Sequence, residues 1–393
     1  MARLPGSLRP VAPRRVAPTL ELLAALLAAA LLAGCGGPAA APRTGADAAP
    51  SGLASFELLG SVRLPPGLEV DGAPVGGLSA LAFQPSSGRW YALSDDRAEH
   101  GPARVYTLLV EAAPGGGSGL SVDVLEVTEL RREDGRAFEA GALDPEGLAV
   151  GPGGTLWVSS EGWADRGVDP FVAEMRLDGR TLRTLELPGR YLPGDGRGVR
   201  DNLGFESLTL SPDGAWLFVA TENALVQDGP AASPDAGSRA RILRFDAASG
   251  RLAAEHVYEV ERVPLVPADP DGLVVGGLVE LLSLGGDRLL ALERHYAQGR
   301  GSTVRLYLVD LAGADDVSGD DRLPGAGRVR PAAKQRLLDL AAFDVPVGNV
   351  EGMALGRRLA DGRRLLLLVA DDNFDPAQEN RVYALAVGGE IFR

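Results

Sequence analysis

The sequence contains little that could carry thiol, lysine or histidine chemistry. Its 393 residues include one cysteine and three histidines. A single cysteine allows no internal disulfide, and since Lys334 is the only lysine, almost all positive charge is arginine. Several catalytic motifs are also absent: there is no G-x-S-x-G, no H-E-x-x-H, no P-loop and no G-x-G-x-x-G after a strand. Serine hydrolases of the α/β type and enzymes built on the other motifs are therefore disfavoured.

The chain is acidic, with a formal net charge of −14. A surface of this sign repels the phosphates of nucleic acids and the headgroups of anionic lipids. It suits divalent cations, which are bound in proteins mainly by oxygen ligands. We therefore predict no nucleic-acid partner and no direct adhesion to a membrane. We expect a monomer that acts on a small-molecule substrate.

The N-terminal segment has the features of a secretory signal. Arg14 and Arg15 precede an apolar run over residues 22–33, and small residues then lead to Cys35. The run, of about 12 residues, is too short to span a bilayer well, which disfavours a transmembrane anchor. The sequence Leu-Ala-Gly-Cys resembles the lipobox of bacterial lipoproteins, whose cysteine is lipidated; the alternative is a buried free thiol.

The predicted signal sequence divides the chain into three parts. We predict a signal peptide over residues 1–35 with lipidation at Cys35. A tether rich in glycine, proline and alanine follows over residues 36–53. The remaining residues, 54–393, form one domain. We expect this domain to be lipid-anchored at the cell envelope, on the periplasmic or extracellular face.

The clearest pattern in the domain is a repeat with the order acid, short apolar strand, glycine turn, second apolar strand, acid. Its best copy covers residues 144–162, and further copies begin at Gly77, Gly204, Gly277 and Asn349. In the first copy Ser79 stands where the others have the leading acid. Self-similarity of this kind is the sequence signature of repeat architectures such as propellers.

The repeat predicts an all-β fold, a β-propeller of five four-stranded blades, with a sixth and weakly marked blade left open. The last blade has only three strands, within residues 350–387. We predict that a strand at 56–64 supplies the fourth and closes the ring, which removes an exposed strand edge. The competing interpretation is a β-sandwich with coincidental turn motifs. The other four blades are predicted at 78–130, 147–187, 206–260 and 279–340.

The repeated acids occupy two places in each copy. In an antiparallel hairpin, the start of the first strand and the end of the second lie at the same end. We therefore expect all of these acids to meet at one mouth of the central channel, where Ca²⁺ is the most suitable ion and Mg²⁺ suits less well. The alternative is that each acid only caps a turn. The candidate metal ligands are Glu146, Glu206, Glu280 and Glu351 at first-strand starts, and Asp95, Asp96, Glu161, Glu222, Glu293, Asp371 and Asp372 after second strands.

Two arginines lie beside these acids in the sequence. Arg97 and Arg294 follow second-strand ends, and the guanidinium group is well suited to grip a phosphate. Simple ion pairing with the neighbouring carboxylates is the competing interpretation. We take Glu146, Glu206, Arg97 and Arg294 as the candidate catalytic residues. His100 and His295 are weaker candidates, because they show no ligand spacing.

As a set, these motifs resemble the bacterial phytase-like family described as having "esterase-like activity of phytase". The resemblance covers roughly residues 54–390. It implies a β-propeller, usually secreted, and phosphoester hydrolysis in which acid-bound Ca²⁺ holds substrate phosphates. Propeller phytases place lysines near the calcium cluster, and here arginine must fill that role. The motifs that carry the resemblance are Gly77-Leu78-Ser79, Ser94-Asp95-Asp96-Arg97, Asp144-Pro145-Glu146-Gly147, Asn202-Leu203-Gly204-Phe205-Glu206-Ser207, Leu292-Glu293-Arg294, Asn349-Val350-Glu351-Gly352 and Asp371-Asp372-Asn373-Phe374.

Three functional hypotheses follow from the sequence. The leading one is a lipid-anchored, extracytoplasmic, calcium-dependent hydrolase of phosphate esters. The second is a non-enzymatic propeller that binds a ligand or a partner of the cell envelope at the acidic mouth. The third is a metal-dependent propeller that acts on carboxylic esters, like a lactonase or arylesterase.

Overall fold

The structure, a computed structural model, describes residues 53–112 and 119–392. The predicted signal peptide, Cys35 and almost all of the predicted tether lie outside these residues. In the described part, 22 strands form five four-stranded antiparallel sheets and one two-stranded hairpin. Among these residues no helix has the length and apolar character needed to cross a bilayer.

In chain order, the strands are β1 (Ser55–Arg63), β2 (Glu69–Val70), β3 (Ala73–Pro74), β4 (Leu78–Gln84), β5 (Arg89–Ser94), β6 (Arg104–Ala112), β7 (Leu120–Glu129), β8 (Pro145–Val150), β9 (Thr155–Ser160), β10 (Phe171–Arg176), β11 (Thr181–Thr184), β12 (Phe205–Leu210), β13 (Trp216–Thr221), β14 (Ser238–Asp246), β15 (Leu252–Val260), β16 (Val274–Gly285), β17 (Arg288–Ala297), β18 (Gly301–Asp310), β19 (Ala333–Asp339), β20 (Asn349–Arg358), β21 (Arg364–Asp371) and β22 (Arg381–Gly388). Three 3-10 helices, one turn each, cover Ala164–Arg166, Leu340–Ala342 and Glu390–Phe392.

The five sheets are the blades of a propeller. Blades one to four contain β4–β7, β8–β11, β12–β15 and β16–β19, each in sequential order. Blade five has the order β20, β21, β22, β1, and β1 pairs antiparallel with β22 from Ser55 opposite Gly388 to Arg63 opposite Arg381. The innermost strands β4, β8, β12, β16 and β20 contact one another in turn around the ring. The predicted five blades and their closure by the N-terminal strand are confirmed, and the described residues contain no sixth blade.

The apolar runs of the sequence form strands that are buried on both faces. In β21, residues 365–370 are all buried. Leu365, Leu367 and Val369 pack in the core shared with blade one, whereas the alternate side chains pack in the core shared with blade four. Successive side chains of a strand point to opposite faces, so a strand between two neighbouring blades needs an apolar residue at every position.

Every innermost strand carries a β-bulge near its start. The register against the second strand slips by one residue in all five blades. A bulge places one extra residue in one strand and turns its side chain out of the regular alternation. The bulges bring five side chains to equivalent places at one end of the channel. They include Ser79, Glu146, Glu206, Val279 and Glu351.

Two features were not predicted. The hairpin of blade four is longer than expected, because β16 and β17 continue their pairing outward to Val274 and Ala297. A small hairpin, β2–β3, precedes blade one, with Glu69 opposite Pro74. The turn between its strands contains Asp71 and Gly72, both in the left-handed region with φ of 53° and 78°. Asp-Gly is a favoured pair for a two-residue hairpin turn of this kind.

Candidate functional site

In each blade, one residue at the mouth end of the second strand stands opposite the residue two positions before the bulge. Its backbone N–H donates to that residue in three blades, from Asp95 to Gly77 at 2.8 Å, from Glu161 to Asp144 at 3.0 Å and from Glu222 to Gly204 at 2.7 Å. The register of the other two blades puts Arg294 opposite Gly277 and Asp371 opposite Asn349. The equivalent positions of the five blades are therefore Asp95, Glu161, Glu222, Arg294 and Asp371.

Blade four departs from the others at both repeated positions. Its bulged residue is Val279 where three blades have glutamate, and Arg294 occupies the place after the second strand where the other four blades have an acid. Glu280 and Glu293 each stand one residue away from these places. Because a shift of one residue moves a strand side chain to the opposite face, neither joins the other acids at the mouth. The expectation that both do so was wrong.

The first group of acids, called cluster A here, consists of Asp95 from blade one with Glu351 and Asp371 from blade five. One oxygen from each lies within 4.8 Å of the others. The Asp371 residue is 1% exposed, and its Oδ1 has no hydrogen-bond partner. Burial, followed by repulsion from Glu351, raises the pKa of Asp95 well above its usual range, and burial and Asp95 do the same for Asp371. Ionising this cluster without a cation is therefore costly.

The second group, cluster B, lies entirely in blade two and consists of Asp144, Glu146 and Glu161. One oxygen from each again lies within 4.8 Å of the others. Glu161 Oε2 accepts a hydrogen bond from the backbone N–H of Gly204 at 2.7 Å, which ties blade two to blade three. Burial raises the pKa of Glu146 and Glu161 well above the usual range, and repulsion from Glu206 adds to the shift.

Asp144 was not among the predicted ligands, although it begins the best copy of the repeat. It precedes the innermost strand, where blades one, three and four have glycine. An acid in place of that glycine was the available signal in the sequence. Its carboxylate is buried and pairs with Arg97. Burial raises the pKa of Asp144, and the hydrogen bond from Arg97 opposes the rise.

Glu206 and Glu222 of blade three belong to the same mouth. Burial and then repulsion from Glu222 raise the pKa of Glu206. The Glu222 residue is 1% exposed, and its Oε1 lacks a hydrogen-bond partner. Burial raises the pKa of Glu222 to about 7, with Arg294 opposing the rise and Glu351 adding to it. A carboxyl with this pKa is able to exchange a proton near neutral pH.

Both predicted arginines are at the mouth, and both are engaged by acids. Arg294 lies 3.0 Å from Glu351 and 3.6 Å from Glu222 and donates to Asn349. Burial alone would lower the pKa of Arg294, but Glu351 and Glu222 outweigh it and raise that pKa. The two arginines offset only part of the charge of eight acids there. These acids are Asp95, Asp144, Glu146, Glu161, Glu206, Glu222, Glu351 and Asp371.

Arg97 occupies the blade-two side of the mouth. It donates to Asp144 and, at 2.8 Å, to Asn202, and it lies 3.8 Å from Glu161. Its guanidinium carbon is 4.4 Å from the centre of the Trp163 ring, a cation–π distance. The Arg97 side chain is 23% exposed and that of Arg294 is 13% exposed. Arg97 is therefore the more accessible of the two cations.

Two other predicted ligands act within turns. Asp96 forms a buried ion pair with Arg104 at 2.6 Å and accepts the backbone N–H of Glu99 at 2.8 Å. Asp372 Oδ1 accepts the backbone N–H groups of Gly77 at 3.0 Å and Phe374 at 3.1 Å. These contacts are those of turn-capping acids. Asp96 and Asp372 therefore cap turns, as the alternative interpretation of the repeated acids proposed. Their neighbours Asp95 and Asp371 belong to cluster A.

Glu293 lies in a different buried network. Its Oε1 is 2.7 Å from Lys334 Nζ and accepts a hydrogen bond from the Tyr258 hydroxyl at 2.7 Å. Burial raises the pKa of Glu293, and Lys334 opposes the rise. His295 lies beside it, 3.6 Å away and fully buried, and burial lowers the pKa of His295 to about 4. The only lysine thus stabilises the packing of blade four and lies away from the mouth acids.

Glu280 is buried in the layer of residues that follow the bulges. Its equivalents in the other blades are small, namely Ala80, Gly147, Ser207 and Gly352. The Glu280 carboxylate accepts the backbone N–H of Leu281 at 2.8 Å, and backbone N–H groups of Leu208 and Met353 donate to it as well. Burial nevertheless raises its pKa well above the usual range. One carboxylate therefore connects the innermost strands of blades three, four and five.

The donor set of the mouth fits a hard divalent cation. Clusters A and B offer carboxylate oxygens and no nitrogen or sulfur, and Ca²⁺ takes six to eight oxygen ligands in flexible geometry. Two buried oxygens, Asp371 Oδ1 and Glu222 Oε1, have no hydrogen-bond partner, which is unusual for buried polar atoms. The raised pKa values of the mouth acids also favour a bound cation, because a positive charge beside their carboxylates would lower those pKa values and stabilise the ionised form.

The chain is similar to several known proteins. An uncharacterized secreted protein of Arthroderma benhamiae is 28% identical over 192 residues, which cover 41% of this chain and 36% of that protein. The chain thus spans about a third of the length of that relative. Among solved structures, the Dos1 propeller covers 80% of this chain and 69% of its own, with a TM-score of 0.36 and 8% identity. The periplasmic gluconolactonase PpgL of Pseudomonas aeruginosa covers 80% and 86%, with a TM-score of 0.34 and 16% identity.

A family model also matches most of the chain. The model described as "Esterase-like activity of phytase" matches residues 73–374. This range contains all eight acids of the mouth and both arginines. The chain therefore belongs to the phytase-like family.

Proposed function

We propose that the acidic mouth is the active site of a calcium-dependent hydrolase that acts on a small phosphate ester. The observation that carries the proposal is the pair of three-carboxylate clusters, A and B. Two buried oxygens of the mouth that accept no hydrogen bond, Asp371 Oδ1 in cluster A and Glu222 Oε1, support it. Acids that serve only to cap turns would have their oxygens satisfied by backbone N–H groups, as Oδ1 of Asp372 is. Asp371 also caps a turn through Oδ2, which accepts the backbone N–H of Asn373, but its Oδ1 accepts no hydrogen bond, and neither does Oε1 of Glu222. These two oxygens support a ligand at the mouth.

The residues at the mouth have separable roles in this proposal. Clusters A and B would hold the cations, which would supply Lewis-acid chemistry to the phosphoryl group and to the attacking water. Glu222, with a pKa of about 7, is the candidate for accepting and returning a proton. Burial and repulsion from Glu351 raise the pKa of Glu222, and burial and repulsion from Glu222 raise that of Glu206. Arg97, the more exposed arginine, is the candidate contact for the substrate phosphate, and Arg294 is the internal counter-ion.

A second candidate is a metal-dependent hydrolase of carboxylic esters. It is favoured by the engagement of Arg97 and Arg294 with acids, which leaves neither guanidinium free to neutralise a phosphate dianion. A carboxylic ester is uncharged and would meet less repulsion at the mouth. The two candidates use the same clusters and differ only in the substrate.

One set of measurements separates these candidates from a binding protein without activity. We would measure the metal content of the purified protein by mass spectrometry, and the turnover of 4-nitrophenyl phosphate and 4-nitrophenyl acetate. Both assays are run with EDTA and after calcium is restored. We expect phosphatase activity that EDTA abolishes and calcium restores. Turnover of the acetate alone would favour the second candidate, and turnover of neither would favour a binding protein.

Two substitutions locate the activity. Glu146→Gln and Glu206→Gln each keep the shape of the side chain and remove its charge, so we expect each to lower kcat by roughly 100-fold or more without unfolding the protein. The exposed Glu186→Gln is the matched control and should leave kcat unchanged. Normal activity in both mouth variants would place the site elsewhere.

The location of the protein is part of the proposal. The lipobox-like sequence at Cys35 supports a lipid anchor, and the relative described as secreted supports export. We expect the wild-type protein to sediment with the membrane fraction and to incorporate labelled palmitate. Cys35→Ala should lose the label and move the domain to the soluble fraction. Unchanged labelling in that variant would exclude Cys35 as the lipid site.

A further inference from the structure

A cavity of about 280 Å³ lies at the mouth end of blade five, beside cluster A. It lies between the segment that leaves β1, residues 63–69, and the turn between β21 and β22, residues 372–380. The hairpin β2–β3 adds Pro74 to its wall. We name it the proline pocket, after Pro65, Pro66, Pro74 and Pro376. None of the acids of clusters A and B lines it, so it is a separate space beside the proposed site.

The walls of the proline pocket are largely apolar. Leu64 and Val75 are buried residues that face it, together with the prolines and the ring of Phe374. Rigid proline and aromatic surfaces lose little freedom when they bind a ligand. Small-molecule sites are mostly apolar, with a few placed polar groups that fix orientation. The walls therefore suit an organic group with an apolar face.

One polar group of the wall is buried and lacks a partner. Asn380 is 6% exposed, lines the pocket, and its side-chain oxygen has no hydrogen-bond partner. Charged side chains also line the pocket, and each has a partner or faces solvent. Glu379 pairs with Arg63 at 3.0 Å and with Arg381 at 2.6 Å, Asp372 accepts two backbone N–H groups, and Glu69 is exposed. Asp375 caps its own turn by accepting the backbone N–H of Ala377 at 2.9 Å. The acceptor left over is Asn380, and a hydroxyl group would satisfy it.

Phe374 forms the wall between the pocket and cluster A. A methyl group built at Gly77 would overlap an oxygen of Asp95 and stand 2.7 Å from the Phe374 ring, so the ring and that carboxylate meet at this glycine. Asn373 and Phe374 both have left-handed backbone, with φ of 48° and 51°. Residues other than glycine rarely adopt this left-handed conformation. Here two carboxylates hold the turn: that of Asp371 accepts the backbone N–H of Asn373 at 2.9 Å, and that of Asp372 accepts the backbone N–H of Phe374 at 3.1 Å.

We infer that the proline pocket binds the alcohol portion of the substrate, an organic group with an apolar face and at least one further hydroxyl. This inference rests on the proposed function, because the ester bond would lie at cluster A while the alcohol portion would extend past the edge of the Phe374 ring into the pocket. The Asn380 oxygen accepts the hydroxyl, and the prolines and Phe374 pack against the apolar face. The pocket selects among esters, whereas clusters A and B act on the bond.

Binding is tested separately from turnover. The probe is 2-naphthol, followed by its own fluorescence with the full-length protein, and 2-methoxynaphthalene is the matched ligand that cannot donate. Pro66→Trp fills the pocket from its exposed rim, and Pro85→Trp, in the exposed turn after β4, is the matched control. We expect Pro66→Trp to weaken 2-naphthol at least about tenfold and the control to change it less than about twofold.

Asn380→Leu tests the hydroxyl assignment. We expect it to remove the preference for 2-naphthol over 2-methoxynaphthalene, which in the wild type should be about tenfold or more. Thermal unfolding of every variant checks that the fold is intact. A preference that persists in Asn380→Leu would overturn the assignment. Tighter binding of 2-naphthylmethylammonium than of 2-naphthol would also overturn it, since the pocket would then be one for organic cations.

Turnover links the pocket to the mouth. The KM for 6-hydroxy-2-naphthyl phosphate, which keeps a free hydroxyl for Asn380, should rise at least about tenfold in Pro66→Trp relative to the KM for methyl phosphate. Equal 2-naphthol binding by the Pro66→Trp and Pro85→Trp variants would refute the pocket even if the protein hydrolyses esters. Binding that responds to Pro66→Trp, with no ester cleaved, would refute the proposed hydrolase and leave the pocket standing.

Discussion

The pKa of Glu222 leads to a prediction about stability. The carboxyl is buried in the mouth, its Oε1 has no hydrogen-bond partner, and its pKa rises from 4.5 to about 7. One pKa unit corresponds to 1.36 kcal/mol, so ionising Glu222 in the folded protein costs about 3 kcal/mol more than in the unfolded chain. The folded state binds this proton more tightly than the unfolded state. Its contribution to stability is therefore complete below about pH 4.5 and is lost as the pH rises through about 7.

The perturbation is Glu222→Gln, which keeps the shape of the side chain and does not titrate. We expect the free energy of unfolding of the wild type in EDTA to fall between pH 5 and pH 8.5, relative to that of the variant, by about 2–3 kcal/mol. A cation that binds only the folded mouth should oppose this loss. At a concentration about 100 times its Kd it adds about 2.7 kcal/mol. Calcium should therefore restore the wild type at high pH more than it restores the variant.

Urea unfolding followed by circular dichroism measures these free energies at the two pH values, with and without calcium. The exposed Glu186→Gln is the control for the loss of one negative charge, and its difference from the wild type should not depend on pH. The reasoning is refuted if the wild type and Glu222→Gln differ by the same amount at pH 5 and pH 8.5 in EDTA. Such a result would mean that solvent reaches the carboxyl and that burial does not set its pKa.

Two further predictions concern blade four. Glu280→Ala removes the acceptor of three backbone N–H groups and should lower the free energy of unfolding by about 3 kcal/mol. Glu280→Gln keeps an acceptor and should change that free energy by less than about 1 kcal/mol. Urea unfolding measures both, and equal stability of the two variants would contradict the role given to Glu280. Arg294→Gln removes the cation beside Glu351 and Glu222 and should tighten calcium binding by about tenfold or more in titration calorimetry. The exposed Arg300→Gln is its control, and equal affinities in the two variants would show that Arg294 does not compete with the ion.

The fold could be predicted from the sequence because its information is local and repeated. Each hairpin has two apolar runs and a glycine turn, and the same order of elements occurs five times. The closure by β1 followed from counting strands, since blade five was one strand short. The cavity beside the turn after β21 could not be predicted in this way. Its walls come from residues 63–75 and 372–380. The predicted pairing of residues 56–64 with the last blade brings the two segments near each other, but nothing in either segment shows that a cavity forms between them.

The site was predicted less accurately, and blade four shows why. Aligning the repeats on their acids made Glu280 and Glu293 equivalent to Glu146 and Glu161. Aligning them on the glycine before the first strand, Gly277, would have put Val279 and Arg294 at those places. A shift of one residue in the alignment thus decides which side chains form the ring at the mouth, because each bulge changes which side chain turns toward the channel. Acidity alone does not reveal that register.

This change in blade four also explains where the candidate cation sites lie. With Arg294 in the ring, Glu222 already has a positive neighbour, and the blade adds no carboxylate of its own to the mouth. Glu351 lies between Arg294 and the other two acids of cluster A. Clusters A and B consist of residues from blades five, one and two, which are adjacent around the ring. The proline pocket lies at the junction of the first and last strands, within the same arc.

Closure of the propeller and construction of the proposed site therefore depend on the same segment. β1 completes blade five through its pairing with β22, and the residues that leave β1 directly form one wall of the proline pocket. Phe374, in the turn that β22 follows, separates that pocket from Asp95. If β1 were displaced, β22 would become an exposed edge strand and the proline pocket would lose one of its walls. The blades that close the ring are thus also the blades that carry the acids of cluster A.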